Sequence, residues 1–360
     1  MAAAPARVYL DHASATPWHP AALAAARQVA ESLPGDPARR HREGRAAGLL
    51  QQIAGGAPLA VAANRSRPAR ILSSAVEHSA VLAAADAAAE ASGGQHVRVP
   101  VDAVGRVDLD ALQAELRGGA LLVNLLHAGH EVGTLQPLAE AAALCAEHDA
   151  LLHVDACQTA GRLPVSLEGI GADFMSVSAA KFGGGRGTGA LLWSPRARLR
   201  PLLRGDERER RVRAGLEHLP GVAAMAEAVL QLRPSDPHGP AAGEAARQDA
   251  LRRRLRAGVP EAVDDVVVHG PDDATAPHIV ALSALYCDGE TMVSELDARG
   301  FAVHSGSSCA TTSGEPSHVL VAMGALTHGH VRVSLGPGVE AAHTDAFTGA
   351  LADVVRTLRG

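Results

Sequence analysis

Lysine occurs once in the 360-residue chain, at position 181 within "SVSAAKFGGGRGTGALLW" (176–193), and the other 32 of its 33 basic residues are arginine. Two readings of Lys181 stand: a chance survivor of a bias against lysine, or a residue kept for work that a guanidinium cannot do. An ammonium can lose a proton and attack a carbonyl carbon to form a Schiff base, whereas a guanidinium stays protonated. Other reactive side chains follow short apolar runs: His78 in "SSAVEHSAV", His130 and Glu131 in "NLLHAGHEVG", Asp155 and Gln158 in "LLHVDACQTAG", and Ser178 in "MSVSAAK". Cys309 stands apart in "HSGSSCATTSGEPSH" (304–318), a polar, turn-forming stretch in which a thiol is expected to be exposed and mobile. An amine, an acid and an imidazole with a visiting thiol suit a carbonyl cofactor that serves as an electron sink. Pyridoxal 5′-phosphate needs a lysine for the imine, an acid for the ring nitrogen, a flat group over the ring and donors for the phosphate. Taken singly, His78 also reads as a helix start and Asp155 as a cap on the following helix.

The elements that would position these residues are legible as apolar runs of four to seven residues alternating with Ala/Leu-rich helical segments. "ARILSS", "HVRVPV", "GALLVNLL", "ALLHVDA", "ADFMSVS" and "GALLW" are strand-like, and helices between them imply a largely parallel sheet covered on both faces. In such a sheet the reactive residues belong at the carboxyl ends of the strands, where all of the first group fall. The Pro- and Gly-rich stretch "RPSDPHGPAAGEAARQ" (233–248) reads as an interdomain connection, followed by shorter strands in "DVVVHG", "HIVALSALY", "FAVHSGSS" and "HVRVSLGPG". The expected organisation is a large domain over 15–240 and a smaller α/β domain formed by 1–14 with 241–360.

Composition narrows the class. Hydrophobic residues make up 47% but aromatic residues only 2%, so the core is to be built from Ala, Leu and Val. The net charge is −6, and the arginines of "RGDERERRVR" (204–213) alternate with acids, which gives nucleic-acid binding little support. The N-terminus carries no secretory pattern and no apolar run approaches a membrane span, so a cytoplasmic protein with no membrane partner is expected. Cys145, Cys157, Cys287 and Cys309 show no paired short spacing, which argues against a metal or cluster ligand set; the first three read as small buried hydrophobes.

Motifs in order along nearly the whole chain carry a specific resemblance: "VYLDHASATP", "PGDPARRHREG", "VEHSAVL", "EVGTLQP", "LLHVDACQTAGRLPV", "DFMSVSAAKFGGGRGTGALL", "SGSSCATTSGEPSHVLVAMG" and "HVRVSLG". The sequence resembles the cysteine desulfurases of the class V aminotransferase family. That resemblance implies fold type I, with a mainly parallel seven-stranded sheet, a smaller C-terminal domain and a homodimer. It implies Lys181 as the Schiff-base lysine, Asp155 as partner of the pyridinium nitrogen, Gln158 as hydrogen-bonder to the ring hydroxyl and His78 as the stacking ring. It further implies Ser178 as a phosphate donor, Arg332 as clamp on the substrate carboxylate and Cys309 as the persulfide-forming nucleophile. The activity implied is conversion of L-cysteine to L-alanine, with sulfur left on Cys309 for an acceptor protein.

Several departures touch the cofactor's phosphate. Between "HREG" and "EHS" the chain is shorter than the family pattern and lacks a Ser/Thr-Gly-rich turn; Ala180 replaces a histidine; "RAGL" puts Leu216 where a threonine is usual. His130 and Asp36 stand at positions of family asparagines near the ring and the substrate. Each lost charge-assisted hydrogen bond is worth roughly 1.5–3 kcal/mol, so compensation is expected from Arg65, Arg67 or Arg213. Three functions therefore remain distinct: a cysteine desulfurase, another C–S lyase of this fold that does not need Cys309, and a non-catalytic or sulfur-relay subunit.

Overall fold

The computed structural model describes residues 7–32, 68–199, 201, 203–305 and 316–360. Six strands form the central sheet: β2 (Arg70–Ser74), β3 (Gln95–Val99), β4 (Leu122–Leu126), β5 (Leu151–Asp155), β6 (Phe174–Ser178) and β7 (Gly189–Trp193), in the order β3-β2-β4-β5-β6-β7. All neighbours are parallel except β7, which runs antiparallel to β6. The resemblance implies seven strands; six are formed among the described residues. The fold is thus α/β with a mostly parallel sheet, as the apolar runs predict. β4 is buried along its whole length, as a central strand covered on both faces must be.

Helices cover both faces: α1 (Pro20–Ser32), α2 (Ser79–Ser92), α3 (Leu109–Arg117), α4 (Leu138–Glu147), the single turn α5 (Leu167–Ile170) and α6 (Leu219–Leu232). Their ends follow local chemistry. The Asp108 side chain accepts from the Ala111 amide to start α3, and Gly93, at φ 66°, closes α2 in a left-handed turn. One core cluster packs Leu112, Leu116, Leu138 and Cys145 against Val123, Leu125 and Leu152 of the sheet.

A long helix, α7 (Pro240–Ala262), leads to an antiparallel sheet of β8 (Val266–His269), β9 (Ile279–Ala284) and β11 (His330–Ser334), in the order β11-β9-β8. Between its strands lie α8 (Gly289–Ala298), β10 (Phe301–Ala302) and α9 (His318–Ala322), and α10 (Ala341–Arg359) closes the described chain. The connection before α7 is shorter than the stretch 233–248 suggests. Pro240 occupies the first helical turn, where its missing N–H is not needed, and the Ala- and Gln-containing run behind it continues the helix. The N-terminal strand β1 (Val8–Tyr9) pairs in parallel with β10, and Asp11 then bridges to Ser334 at the end of β11. Among the described residues no helix is long and apolar enough to cross a membrane.

A polar row crosses the otherwise apolar central sheet. Ser73 pairs in register with Asn124 and Asn124 with His153, so these side chains share one face. His153 donates from Nδ1 to Asn124 Oδ1 (3.1 Å), and Asn124 donates from Nδ2 to Ser73 Oγ (2.9 Å). Burial lowers the His153 pKa, leaving a neutral ring whose Nε2 accepts from Ser176 Oγ (3.1 Å). At the other end His96 Nε2 meets Ser73 Oγ (2.9 Å), and its Nδ1 donates to Asp86 Oδ1 of α2 (2.7 Å). Two residues further along the strands, the same face presents Leu126, Asp155 and Ser178. Asn124→Leu would strand the buried His153 donor and one partner of Ser73, and is expected to cost about 2–4 kcal/mol. Chemical denaturation measures this, and a loss below about 1 kcal/mol would contradict the account.

Candidate active site

Lys181 sits in a single 3-10 turn (Ala179–Lys181) directly after β6. Its amine donates to two backbone carbonyls, Ala13 O (2.6 Å) and Ser14 O (2.8 Å). Its own carbonyl accepts from Thr16 Oγ1 (2.9 Å) and from Arg162 NH1 (2.5 Å), while Thr16 N donates to Ala180 O (2.8 Å). The lysine is therefore fixed at both ends by residues 13–16 and Arg162. Burial, then the Arg332 guanidinium, lowers its pKa from the ordinary lysine value, so more of the amine is neutral than at an exposed site.

The other strand ends converge on this turn. Gln158 is buried; its amide nitrogen donates to Ala13 O (3.0 Å), the carbonyl that also holds Lys181, and its Oε1 faces His278 Nε2 at 3.3 Å. Asp155, the last residue of β5, accepts the Cys157 amide on Oδ1 (2.9 Å). His78 caps α2, its Nδ1 accepting from Ala80 N (3.2 Å), and its ring lies edge-on to that of His130, with centroids 5.1 Å apart. Partial burial lowers the His78 pKa, with the Asp155 charge opposing. The local alternative holds for His78, which starts a helix; for Asp155 it does not, since a turn rather than a helix follows β5 and the carboxylate accepts within that turn. Ser178 ends β6 opposite Gly189 of β7, and its side chain does not cap the 3-10 turn that follows.

Arg332, in the middle of β11, is 5% exposed. It donates to His130 O (2.9 Å), Ser14 Oγ (2.8 Å) and Asp11 Oδ1 (3.0 Å). His130 Nε2 lies 3.7 Å from Glu131 Oε1, but this contact is not an ion pair. Burial pushes the His130 pKa well down and the Glu131 pKa up to about 7, so both groups favour their neutral forms. Glu131 instead accepts from Ser317 Oγ (2.6 Å), joining the loop after β4 to the start of α9. Glu77, also fully buried, has its pKa raised by burial and then by Asp155, with Oε1 unpartnered among the described residues.

Cys309, Asp36, Arg65 and Arg67 lie outside the described residues. Arg213 turns its NH1 toward Gly215 O (3.2 Å) and Leu216 O (3.3 Å) of its own loop. Burial, followed by Asp155, pushes the Cys157 thiol up, and burial pushes Cys145 up to about 12, so neither is primed as a thiolate. Asp11, Ser14, Thr16, Arg162 and His278 are site neighbours that periodicity and residue chemistry did not single out. The motif "VYLDHASATP" held a signal for the first three; nothing local marked His278.

The group that would join these residues is tested by their chemistry. A half-buried amine of lowered pKa, a strand-end carboxylate, an amide and an imidazole ring fit the pyridine end of pyridoxal 5′-phosphate. At its phosphate end Ser178 offers a hydroxyl, whereas Ala180 and Leu216 offer no side-chain donor.

The class V aminotransferase profile matches residues 57–347, and the chain belongs to that family, among its cysteine desulfurases. A cysteine desulfurase of Cereibacter sphaeroides is 35% identical over 382 residues, covering 98% of this chain and 97% of the relative. The cysteine desulfurase IscS of Dictyoglomus turgidum is 36% identical over 270 residues, 74% of this chain and 67% of its own. A NifS-like protein from Rickettsia africae superposes with a TM-score of 0.83 at 23% identity, covering 97% of this chain and 99% of that structure, which shows the shared fold. The family uses pyridoxal phosphate.

Glu131 gives a pH test. Its folded pKa, about 7, lies above the ordinary 4.5, so the folded protein holds a proton that the unfolded chain releases between these values. Its contribution therefore favours folding below about pH 4.5 and is lost as pH rises toward 7, by at most about 3 kcal/mol. Glu131→Gln, which stays neutral, is expected to flatten that part of the stability profile; denaturation midpoints at pH 5, 6, 7 and 8 for both proteins decide it.

Proposed function

We propose that this chain converts L-cysteine to L-alanine through the residues gathered about Lys181, leaving sulfur on Cys309 as a persulfide for an acceptor protein. The observation that carries the reading is the double hold on Lys181, an amine of lowered pKa pinned beside Arg332 by the shared residue Ser14. Residues 15–240 would form the cofactor-binding unit, and 1–14 with 241–360 the smaller one, in a cytoplasmic homodimer.

Pyridoxal 5′-phosphate, when bound, supplies the electron sink that weakens bonds to the substrate's α-carbon. Lys181 is the residue that would hold it, and its Nζ is the group that takes and returns the α-proton. Asp155 would hold the ring nitrogen, Gln158 the ring hydroxyl and His78 the ring face; the His130 ring lies edge-on to that of His78. Ser178 would donate to the phosphate, together with one guanidinium from Arg65, Arg67 or Arg213. Arg332 would seat the substrate carboxylate; the resemblance also names Asp36 for the substrate, a residue outside the described ones. The Cys309 thiolate attacks the substrate sulfur: a sulfur–sulfur bond forms, the carbon–sulfur bond breaks, and the electron pair stays with carbon, which is protonated to alanine.

The purified protein given cofactor is expected to show a visible absorption band, and borohydride reduction should fix the cofactor on the Lys181 peptide. Lys181→Ala and Lys181→Arg should abolish alanine production, because neither side chain supplies a titratable amine near neutral pH. No band at saturating cofactor, or an adduct elsewhere, would overturn the reading. After incubation with L-cysteine, mass spectrometry should find the added sulfur on the Cys309 peptide; Cys309→Ser should lose it. Sulfur on Cys157 or Cys287 instead would contradict the assignment.

A further inference from the structure

The arginine proposed to seat the substrate carboxylate is already occupied by a carboxylate of its own chain. Arg332 NH2 donates to both Asp11 Oδ1 (3.0 Å) and Ser14 Oγ (2.8 Å), which uses both hydrogens of that nitrogen. NH1 donates to His130 O (2.9 Å), and the buried Nε has no partner among the described residues. A guanidinium offers a carboxylate two edges with parallel N–H bonds, one from Nε and NH2, the other from NH1 and NH2. Both edges include NH2. A ligand carboxylate therefore gains a two-pronged seat only by displacing Asp11 or Ser14.

Asp11 cannot withdraw by a simple shift of its backbone. It bridges to Ser334, and its carbonyl accepts from Tyr9 OH (3.0 Å), Ser14 N (3.1 Å) and Ala15 N (3.3 Å). Of the two groups on NH2 it is the charged one, and its side chain is 17% exposed, close to the nearly buried guanidinium. Without a ligand it neutralises a cation that burial would otherwise leave unpaired. With a ligand, two carboxylates compete for one guanidinium.

We propose that Asp11 is a specificity-determining positioning residue: an internal carboxylate that holds Arg332 until the substrate's carboxylate replaces it, and that takes the arginine back as the product amino acid leaves. The inference rests on the reading of Arg332 as the carboxylate seat. It explains how a buried arginine is kept folded in the free enzyme without a bound anion. It also means that only a ligand bearing its own carboxylate can displace Asp11, which disfavours simple amines and thiols.

The test is Asp11→Asn, which keeps the shape and an acceptor oxygen but removes the charge, with Asp11→Ser as a second uncharged variant. In the cofactor-loaded enzyme the free variants are expected to melt below the unmodified protein, yet to gain more from saturating L-alanine, because the ligand then supplies the missing counter-charge. The KM for L-cysteine should fall about three- to tenfold with kcat changing less, while inhibition by cysteamine, which has no carboxylate, stays the same. Asp11→Glu, which keeps the charge, should stay near the unmodified KM. An unchanged or raised KM in both uncharged variants, or an equal shift for cysteamine, overturns the proposal. Arg332→Ala separates the two levels: if it binds L-alanine as the unmodified enzyme does, the seat itself is wrong, whereas a normal loss there with silent Asp11 variants removes only the role of Asp11.

Discussion

The site depends on one physical constraint, the docking of residues 11–16 across the gap between the two larger sheets. Through Ala13, Ser14 and Thr16 this short segment holds both the amine and the backbone of Lys181, shares a carbonyl with Gln158, and through Asp11 and Ser14 holds Arg332. Its own place is fixed from the other side, where Ala13 N donates to Ser334 Oγ (2.9 Å) and Ser334 N to Leu10 O (2.7 Å). Each such bond contributes only about 1 kcal/mol net, so the hold is collective. The lysine turn, Arg332 and the C-terminal sheet are placed relative to one another by a single stretch of chain, and loosening that stretch would misalign all three together.

The same junction concentrates positive charge. Arg162 is buried beneath the lysine turn, bonded to a carbonyl and a hydroxyl, and burial pulls its pKa down to about 10. The carboxylate whose field reaches it, Glu244, is itself paired with Arg247 at 2.6 Å. Lys181 and Arg332 lie close enough for each arginine to disfavour the lysine's proton. Among the described residues Asp11 pairs with Arg332, whereas Arg162 and Lys181 bond to carbonyls and a hydroxyl; burying cations this way opposes folding, and it is intelligible where the ligands bring negative charge of their own. A substrate carboxylate and a cofactor phosphate are such ligands. The arrangement also tunes the amine, since the field that attracts an anion is the field that lowers the lysine's pKa.

The strands were legible because their signal is local: the apolar runs of β4 and β9 are buried along their whole length. Lys181, Asp155, Gln158 and His78 could be nominated because each follows such a run. What single residues did not reveal is what their partners are. Asp11 meets Arg332 across 321 positions and Ser317 meets Glu131 across 186, separations at which no periodicity carries information. The polar row through Ser73, Asn124 and His153 was likewise hidden, because each member reads alone as a tolerated polar residue in an apolar strand. Pro240 misled in the other direction: proline marks a break, yet at the first turn it opens α7. Cys309, singled out by its polar, turn-forming stretch, and Asp36, named from the resemblance, fall outside the described residues.

His78 and Asp155 show why a local structural role does not compete with a chemical one. As cap of α2, His78 uses Nδ1 as an acceptor, which places the ring proton on Nε2 and fixes the ring plane against the cleft. The cap sets that plane without any further side chain. Asp155 accepts the Cys157 amide on one carboxylate oxygen, which restricts its χ angles. The polar row beneath it, from Ser176 back to Asp86, stiffens the strand ends from which both residues project. In both cases the hydrogen bond that satisfies the backbone also aims the side chain, so secondary structure and chemistry are specified by the same atoms.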